Sequence, residues 1–79
     1  MQEAKLTGAN LSKANLCEAN LTSTNLQEAN LSEANLTKAN LQFAKYDSLT
    51  QWPYGFEPKA AGAIEVQWDN QSQKWIAAL

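Results

Sequence analysis

The chain has no histidine, one cysteine, two prolines and three glycines among its 79 residues. Each shortage excludes something. Without histidine, the commonest general base and metal ligand is missing. The single cysteine, Cys17, permits neither an internal disulfide nor a cysteine-based zinc site. A free thiol suits a reducing compartment, so the expected location is cytoplasmic. Charge is scarce as well: charged residues make up 18% and the formal net charge is -2. No basic excess exists to hold a phosphate backbone by counterion release, and nucleic acid is not an expected partner. No run approaches 18 apolar residues, and the polar start Met1-Gln2-Glu3-Ala4-Lys5 has no apolar segment behind it. Neither a membrane span nor a targeting signal is therefore expected. At this length one small domain is expected, with little core to bury.

What the chain does have is alanine, leucine and asparagine, 13, 10 and 8 of them. They are periodic. Leu6, Leu11, Leu16, Leu21, Leu26, Leu31, Leu36 and Leu41 recur every five residues, and Tyr46 takes the ninth place. Asn precedes the leucine at 10, 15, 20, 25, 30, 35 and 40. Two places before each leucine stands Ala, or Thr24 in one case, and Ala44 stands before Tyr46. The unit is Ala-Asn-Leu-x-x over residues 4–48.

A period of five suits neither regular backbone. On an α-helix five residues advance about 140° beyond a full turn, so successive leucines would spiral around the cylinder. On a flat strand an odd period sends them to opposite faces. Five works if the chain turns a corner once per unit. Ala and Leu then point inward, Asn outward, and the two variable residues make the bend. Four corners close a coil of about 20 residues, and coils stack at the strand spacing of roughly 4.8 Å.

Residues 4–48 resemble the pentapeptide-repeat family, whose signature is Ala-(Asp/Asn)-Leu-x-x. The resemblance implies an all-β fold, a right-handed quadrilateral β-helix (solenoid), here of about two coils with a C-terminal cap. Stacking of residues 20 apart is compatible with the charges: Lys13 falls under Glu33 and Glu18 under Lys38. The N-terminal coil has no visible cover, because only Met1-Gln2-Glu3 precedes the first unit. An open coil edge is a template for pairing. This end is expected to pack against another copy, as a homo-oligomer through the uncapped coil, or against further coils of a longer parent.

Residues 49–79 form the second region, an aromatic-rich cap. The run from Thr50 to Ile64, with Trp52-Pro53-Tyr54-Gly55-Phe56-Glu57-Pro58 in it, resembles a segment that follows the repeats in many bacterial members of the family. Pro58-Lys59-Ala60-Ala61 suits one short helical turn ended by Gly62. Ile64, Val66 and Trp68 alternate with Glu65 and Gln67 as a strand would. Asp69-Asn70-Gln71-Ser72 reads as a turn, and Lys74-Trp75-Ile76-Ala77 as a returning strand.

Candidate chemistry is sparse. Glu18, Glu28 and Glu33 fall at outward corners beside lysines or solvent, whereas a catalytic pair needs burial or crowding. Cys17 points outward beneath Thr37 and has no histidine to activate it. The seven outward asparagines suggest amide ladders, with a glycan or ligand surface as the lesser reading. The sequons at Asn10, Asn20, Asn30 and Asn35 fall out of the repeat. The columns Thr22/Gln42, Cys17/Thr37 and Thr7/Gln27 are too mixed for an ice-binding threonine row. Trp52, Tyr54 and Phe56 are expected to pack over the end of the core, with a partner hot spot as the alternative.

No catalytic, cofactor-binding or metal-ligating residues are expected, and no cofactor. The expected function is a non-enzymatic structural or protein–protein interaction module with an unidentified protein partner. The alternative comes from the family. Some members resemble duplex DNA, bind DNA gyrase and protect it from inhibitors. This chain departs from them in carrying Asn where an Asp row would supply charge.

Overall fold

Backbone conformation repeats as strictly as sequence does. Glu3, Gly8, Lys13, Glu18, Ser23, Glu28, Glu33, Lys38 and Phe43, every fifth residue, all have φ between 59° and 73°. They do so in a computed structural model of the chain, which describes residues 3–78. Met1, Gln2 and Leu79, which ends the expected cap, lie outside the described residues. The next residue donates its N–H back to the leucine carbonyl: Ala9 to Leu6 at 2.9 Å, Ala14 to Leu11 and Ala19 to Leu16 at 3.0 Å. A four-residue turn with φ > 0 only at its third residue is type II. The bend therefore falls on the two variable residues. Glycine occupies one of these corners, at Gly8; the others place ordinary side chains where the left-handed region costs about 1–2 kcal/mol.

The bends create four sides. Parallel bridges join Lys5 to Asn25, Asn10 to Asn30, Asn15 to Asn35 and Asn20 to Asn40, and Asn25 continues to Lys45. Three backbone bonds tie one unit to the next level. Between residues 9–13 and 29–33 they run from Asn30 N–H to Ala9 at 2.9 Å, from Leu11 N–H to Asn30 at 2.7 Å and from Lys13 N–H to Ser32 at 2.9 Å. The ladder satisfies polar backbone that would otherwise be buried bare.

Leucine fills the shaft. Leu21, Leu26, Leu31 and Leu41 are at most 1% exposed, and Ala29, Ala44 and Thr24 are fully covered. Burying each leucine contributes about 2 kcal/mol. Leu6 and Leu11, at the N-terminal end, are only partly buried.

Past Tyr46 the register slips. Asn30 bridges to Gln51, an offset of 21 instead of 20, because the corner Asp47-Ser48-Leu49-Thr50 carries one residue more than its counterparts. The repeat is thus in register through Lys45 and not, as the sequence suggests, through residue 48. The Lys45–Tyr46 segment (β1) pairs in parallel with Ile64–Asp69 (β2), and β2 pairs antiparallel with Lys74–Ala77 (β3). The sheet order is β1-β2-β3, and no helix forms among the described residues.

Residues 58–62 form the single short turn expected, ended by Gly62, with Ala61 N–H reaching Glu57 O at 3.3 Å and Pro58 O at 3.0 Å. Ala63 N–H reaches Pro58 O at 3.1 Å and Gly62 N–H reaches Lys59 O at 3.1 Å. That pair of bonds is a Schellman motif, with Gly62 at φ 92° in its left-handed position.

Candidate interaction surfaces

The asparagines do not form the ladders expected of them. Each recorded side-chain bond stays within its own corner. Asn15 Oδ1 accepts the N–H of Cys17 at 3.1 Å, and Asn40 Oδ1 that of Gln42 at 3.0 Å. Where the residue two places on is Ser or Thr, its hydroxyl donates to the same oxygen, as in Ser12 to Asn10 at 2.8 Å and Thr37 to Asn35 at 2.6 Å. The side chain curls toward the bend because an Asn acceptor satisfies an N–H two residues on more readily than it reaches a neighbour 4.8 Å away. Asn is thus a corner fastener.

The charged columns likewise remain unlinked. Lys13 with Glu33 and Glu18 with Lys38 form no ion pair; among the described residues the recorded pair is Lys59–Glu65 at 3.3 Å. Glu18, Glu28 and Glu33 are exposed. Cys17 is an exposed free thiol. No group of three potential metal ligands comes together among the described residues. No helix there is long and apolar enough to cross a membrane.

The aromatic segment divides. Trp52 stacks on Phe56 with ring centroids 5.2 Å apart and meets Tyr46 edge-on at 5.5 Å, and Trp52 and Phe56 pack against the leucine core. Tyr54, expected beside them, is fully exposed. It stands in the type II turn Pro53-Tyr54-Gly55-Phe56, closed by Phe56 N–H to Pro53 O at 3.0 Å, which throws its ring outward. Burial raises the Tyr46 phenol above its ordinary value; Glu65 adds to the rise and Lys59 opposes it.

Two polar side chains lie deeper than their positions suggest. Gln27 is 2% exposed, although Thr7, Ser12 and Cys17 in equivalent places are exposed. Its Oε1 and the Trp52 indole N–H lack a hydrogen-bond partner. Asp47, one level above Gln27, is 8% exposed. Its Oδ1 gathers the N–H of Glu28 and of Leu49, each at 3.0 Å, and the Thr50 hydroxyl at 3.2 Å. The carboxylate thereby shapes the wide corner. Nothing in the quintet pattern marks this cluster.

Beside that corner the β2–β3 hairpin leaves a groove of about 300 Å³. Glu28, Asp47 and Leu49 line it from the shaft and its wide corner, and Glu65, Trp68 and Trp75 from the hairpin. Trp68 and Trp75 face each other across the strands, centroids 5.6 Å apart at 75°. Beyond them Asp69 closes the hairpin turn: the Ser72 hydroxyl at 2.7 Å, then the Gln71 N–H, hold its carboxyl below the usual range.

The arrangement is that of a repeat solenoid, and comparison with known proteins agrees. The family described as pentapeptide repeats matches in eight copies, over residues 1–37 and 18–45. The chain belongs to the pentapeptide-repeat family and has its right-handed β-helix fold. Among solved structures it is similar to the crystal structure of alr5209, a pentapeptide repeat protein from Nostoc Pcc 7120, at 23% identity, with a TM-score of 0.51 over 81% of this chain and 82% of that one. Nothing among the curated proteins matches the chain.

Proposed function

We propose that the chain is a non-enzymatic structural or protein–protein interaction module of the cytoplasm. It is read as a shaft of about two coils, closed at one end by the cap that Trp52 and Phe56 begin. The observation that carries this reading is where the apolar side chains lie. The interior is packed with leucine down to 1% exposure or less, so the shaft of the described residues encloses no room for a reactant. Leu49, Trp68, Tyr54 and Phe43 stand 46% to 106% exposed. Large apolar side chains held on a rigid frame suit a protein partner.

A second contact surface is the N-terminal coil, where the half-covered Leu6 and Leu11 suit another copy of the chain. Two experiments test these readings. Capture from a lysate of the source cells should retain a partner that Trp68→Ala or Tyr54→Ala releases; retention unaffected by every exposed-aromatic variant would overturn the module reading. Sedimentation velocity at high micromolar concentration should show a dimer that Leu11→Lys disperses; a monodisperse monomer would remove the self-association. Inhibition of gyrase supercoiling by the purified chain would replace the module reading with the DNA-mimic alternative.

A further inference from the structure

We propose that the groove between the Asp47–Thr50 corner and the β2–β3 hairpin receives an arginine or lysine side chain of a protein partner. The inference rests on the interaction-module reading and specifies what that module recognises. Three observations converge on it.

The first is charge. Glu28, Asp47 and Glu65 line the groove and no lysine does. Glu65 is matched by Lys59 at 3.3 Å. Neither Glu28 nor Asp47 has a cationic partner among the described residues. Asp47 is 8% exposed, and all its recorded hydrogen bonds end on Oδ1. Its Oδ2 keeps contact with solvent, where an incoming cation can meet it.

The second is the aromatic wall. Trp68, 46% exposed, and Trp75 stand at 75° to each other. A cation within about 6 Å of an indole face is attracted by the ring quadrupole, and tryptophan is the strongest such partner. Two indoles at a steep angle offer a face and an edge to one guest.

The third is Leu49, 63% exposed where the wide corner lines the groove. It suits the methylene stem of an arginine or lysine whose charged head lies among carboxylates. The chain's own cations do not serve. Lys59 is engaged with Glu65, and Lys74, next to Trp75 in β3, projects to the other face of the sheet by strand alternation. An acidic guest would meet like charge, and a purely apolar one would strip water from Asp47 without replacing it.

The test follows the three indole N–H signals by two-dimensional NMR on the full chain. The probe is a blocked Gly-Arg-Gly peptide, with Gly-citrulline-Gly as its uncharged isostere. The arginine peptide should move the Trp68 and Trp75 signals saturably, and the citrulline peptide should not. Glu28→Gln, an exposed change that leaves the fold intact by circular dichroism, should weaken binding about two- to fivefold. Salt at about 0.5 M should weaken it further. Equal shifts with both peptides, or no movement of Trp68 and Trp75, would overturn the proposal. If the indoles stay still while the chain still captures a partner that Tyr54→Ala releases, the groove assignment fails and the module reading stands. If both experiments are negative, both fail.

Discussion

The carboxylate of Asp47 accepts the backbone N–H of Glu28 at 3.0 Å, reaching back 19 residues to the level below. The same oxygen holds Leu49 and Thr50, so one side chain both widens its own corner and fastens it downward. Asp47→Ala removes the acceptor from two N–H groups, while the Thr50 hydroxyl keeps the Leu26 carbonyl at 2.8 Å. Bonds to a charged group contribute about 1.5–3 kcal/mol, and a loss of about 2–3 kcal/mol is expected. Asp47→Asn, which keeps an acceptor, should lose less. Urea unfolding followed by circular dichroism measures both; an Ala variant as stable as the parent would refute the fastening role.

The left-handed corners set a second expectation. Lys38 has φ 59° and an exposed side chain. Asn tolerates that region better than other non-glycine residues, and β-branched residues tolerate it worst. Lys38→Asn should raise the urea midpoint slightly. Lys38→Val should lower stability by about 1 kcal/mol or more. Similar midpoints for the two would contradict the corner geometry.

Gly62 combines conformation with crowding. Its φ is 92°, and a Cβ there would lie 2.7 Å from Gln42 Oε1 and 3.3 Å from Gln42 Cα. Gly62→Ala should cost about 1–3 kcal/mol. Adding Gln42→Ala removes the side-chain clash but not the backbone strain, so the double variant should recover only part of the loss. Complete recovery in thermal unfolding would mean that the clash alone mattered.

Reading asparagine as a corner fastener separates two substitutions of one residue. Asn15→Ala deprives the Cys17 N–H of its acceptor and should cost about 0.5–1.5 kcal/mol. Asn15→Asp retains an acceptor in the same place and should cost less at neutral pH. If the amides acted as ladders instead, Asp would lose the ladder as Ala does, because a carboxylate has no N–H to donate to Asn35, and would gain nothing over Ala. The order of the two urea midpoints decides.

Titration should show at alkaline pH. The folded Tyr46 phenol lies above its ordinary value, chiefly through burial. A raised folded pKa means that its contribution is fully present below the unfolded value, about 10, and is lost as pH rises through the folded one. Unfolding midpoints should therefore fall above about pH 10, and Tyr46→Phe should flatten that fall. An unchanged slope in the Phe variant would assign the alkaline loss elsewhere.

Leucine at every fifth place made the bend legible, since only one corner per unit keeps Leu6 through Leu41 on a common inner side. The 20-residue column followed from the same count, and the bridges from Asn10 to Asn30 and Asn20 to Asn40 match it. The slip at Gln51 was hidden. Asp47-Ser48-Leu49-Thr50 reads as a degraded unit, and its extra length shows only through hydrogen bonds to residues 26 and 28. Gln27 was hidden for a related reason: at residues 7, 12, 17, 37 and 42 its place in the unit is exposed, and its burial depends on Asp47 a level above. Tyr54 was misread because a type II turn separates it from Trp52 and Phe56. The groove joins Glu28 of the shaft to Trp68 and Trp75 of the hairpin, and no spacing along the chain encodes that meeting.

Four sides and a 20-residue period give this architecture a preferred quantum of growth. Inserting a whole circuit between two leucines would lengthen the shaft and leave every side over its former neighbour, since each level touches only the levels next to it. Inserting a single quintet would instead swing everything beyond it by about a quarter turn. The hairpin would then rise from a different side, and its indoles would face another row of corners. Insertion of a whole circuit should therefore leave the C-terminal end in place, while a single quintet would re-aim it and offer a new partner surface at one stroke.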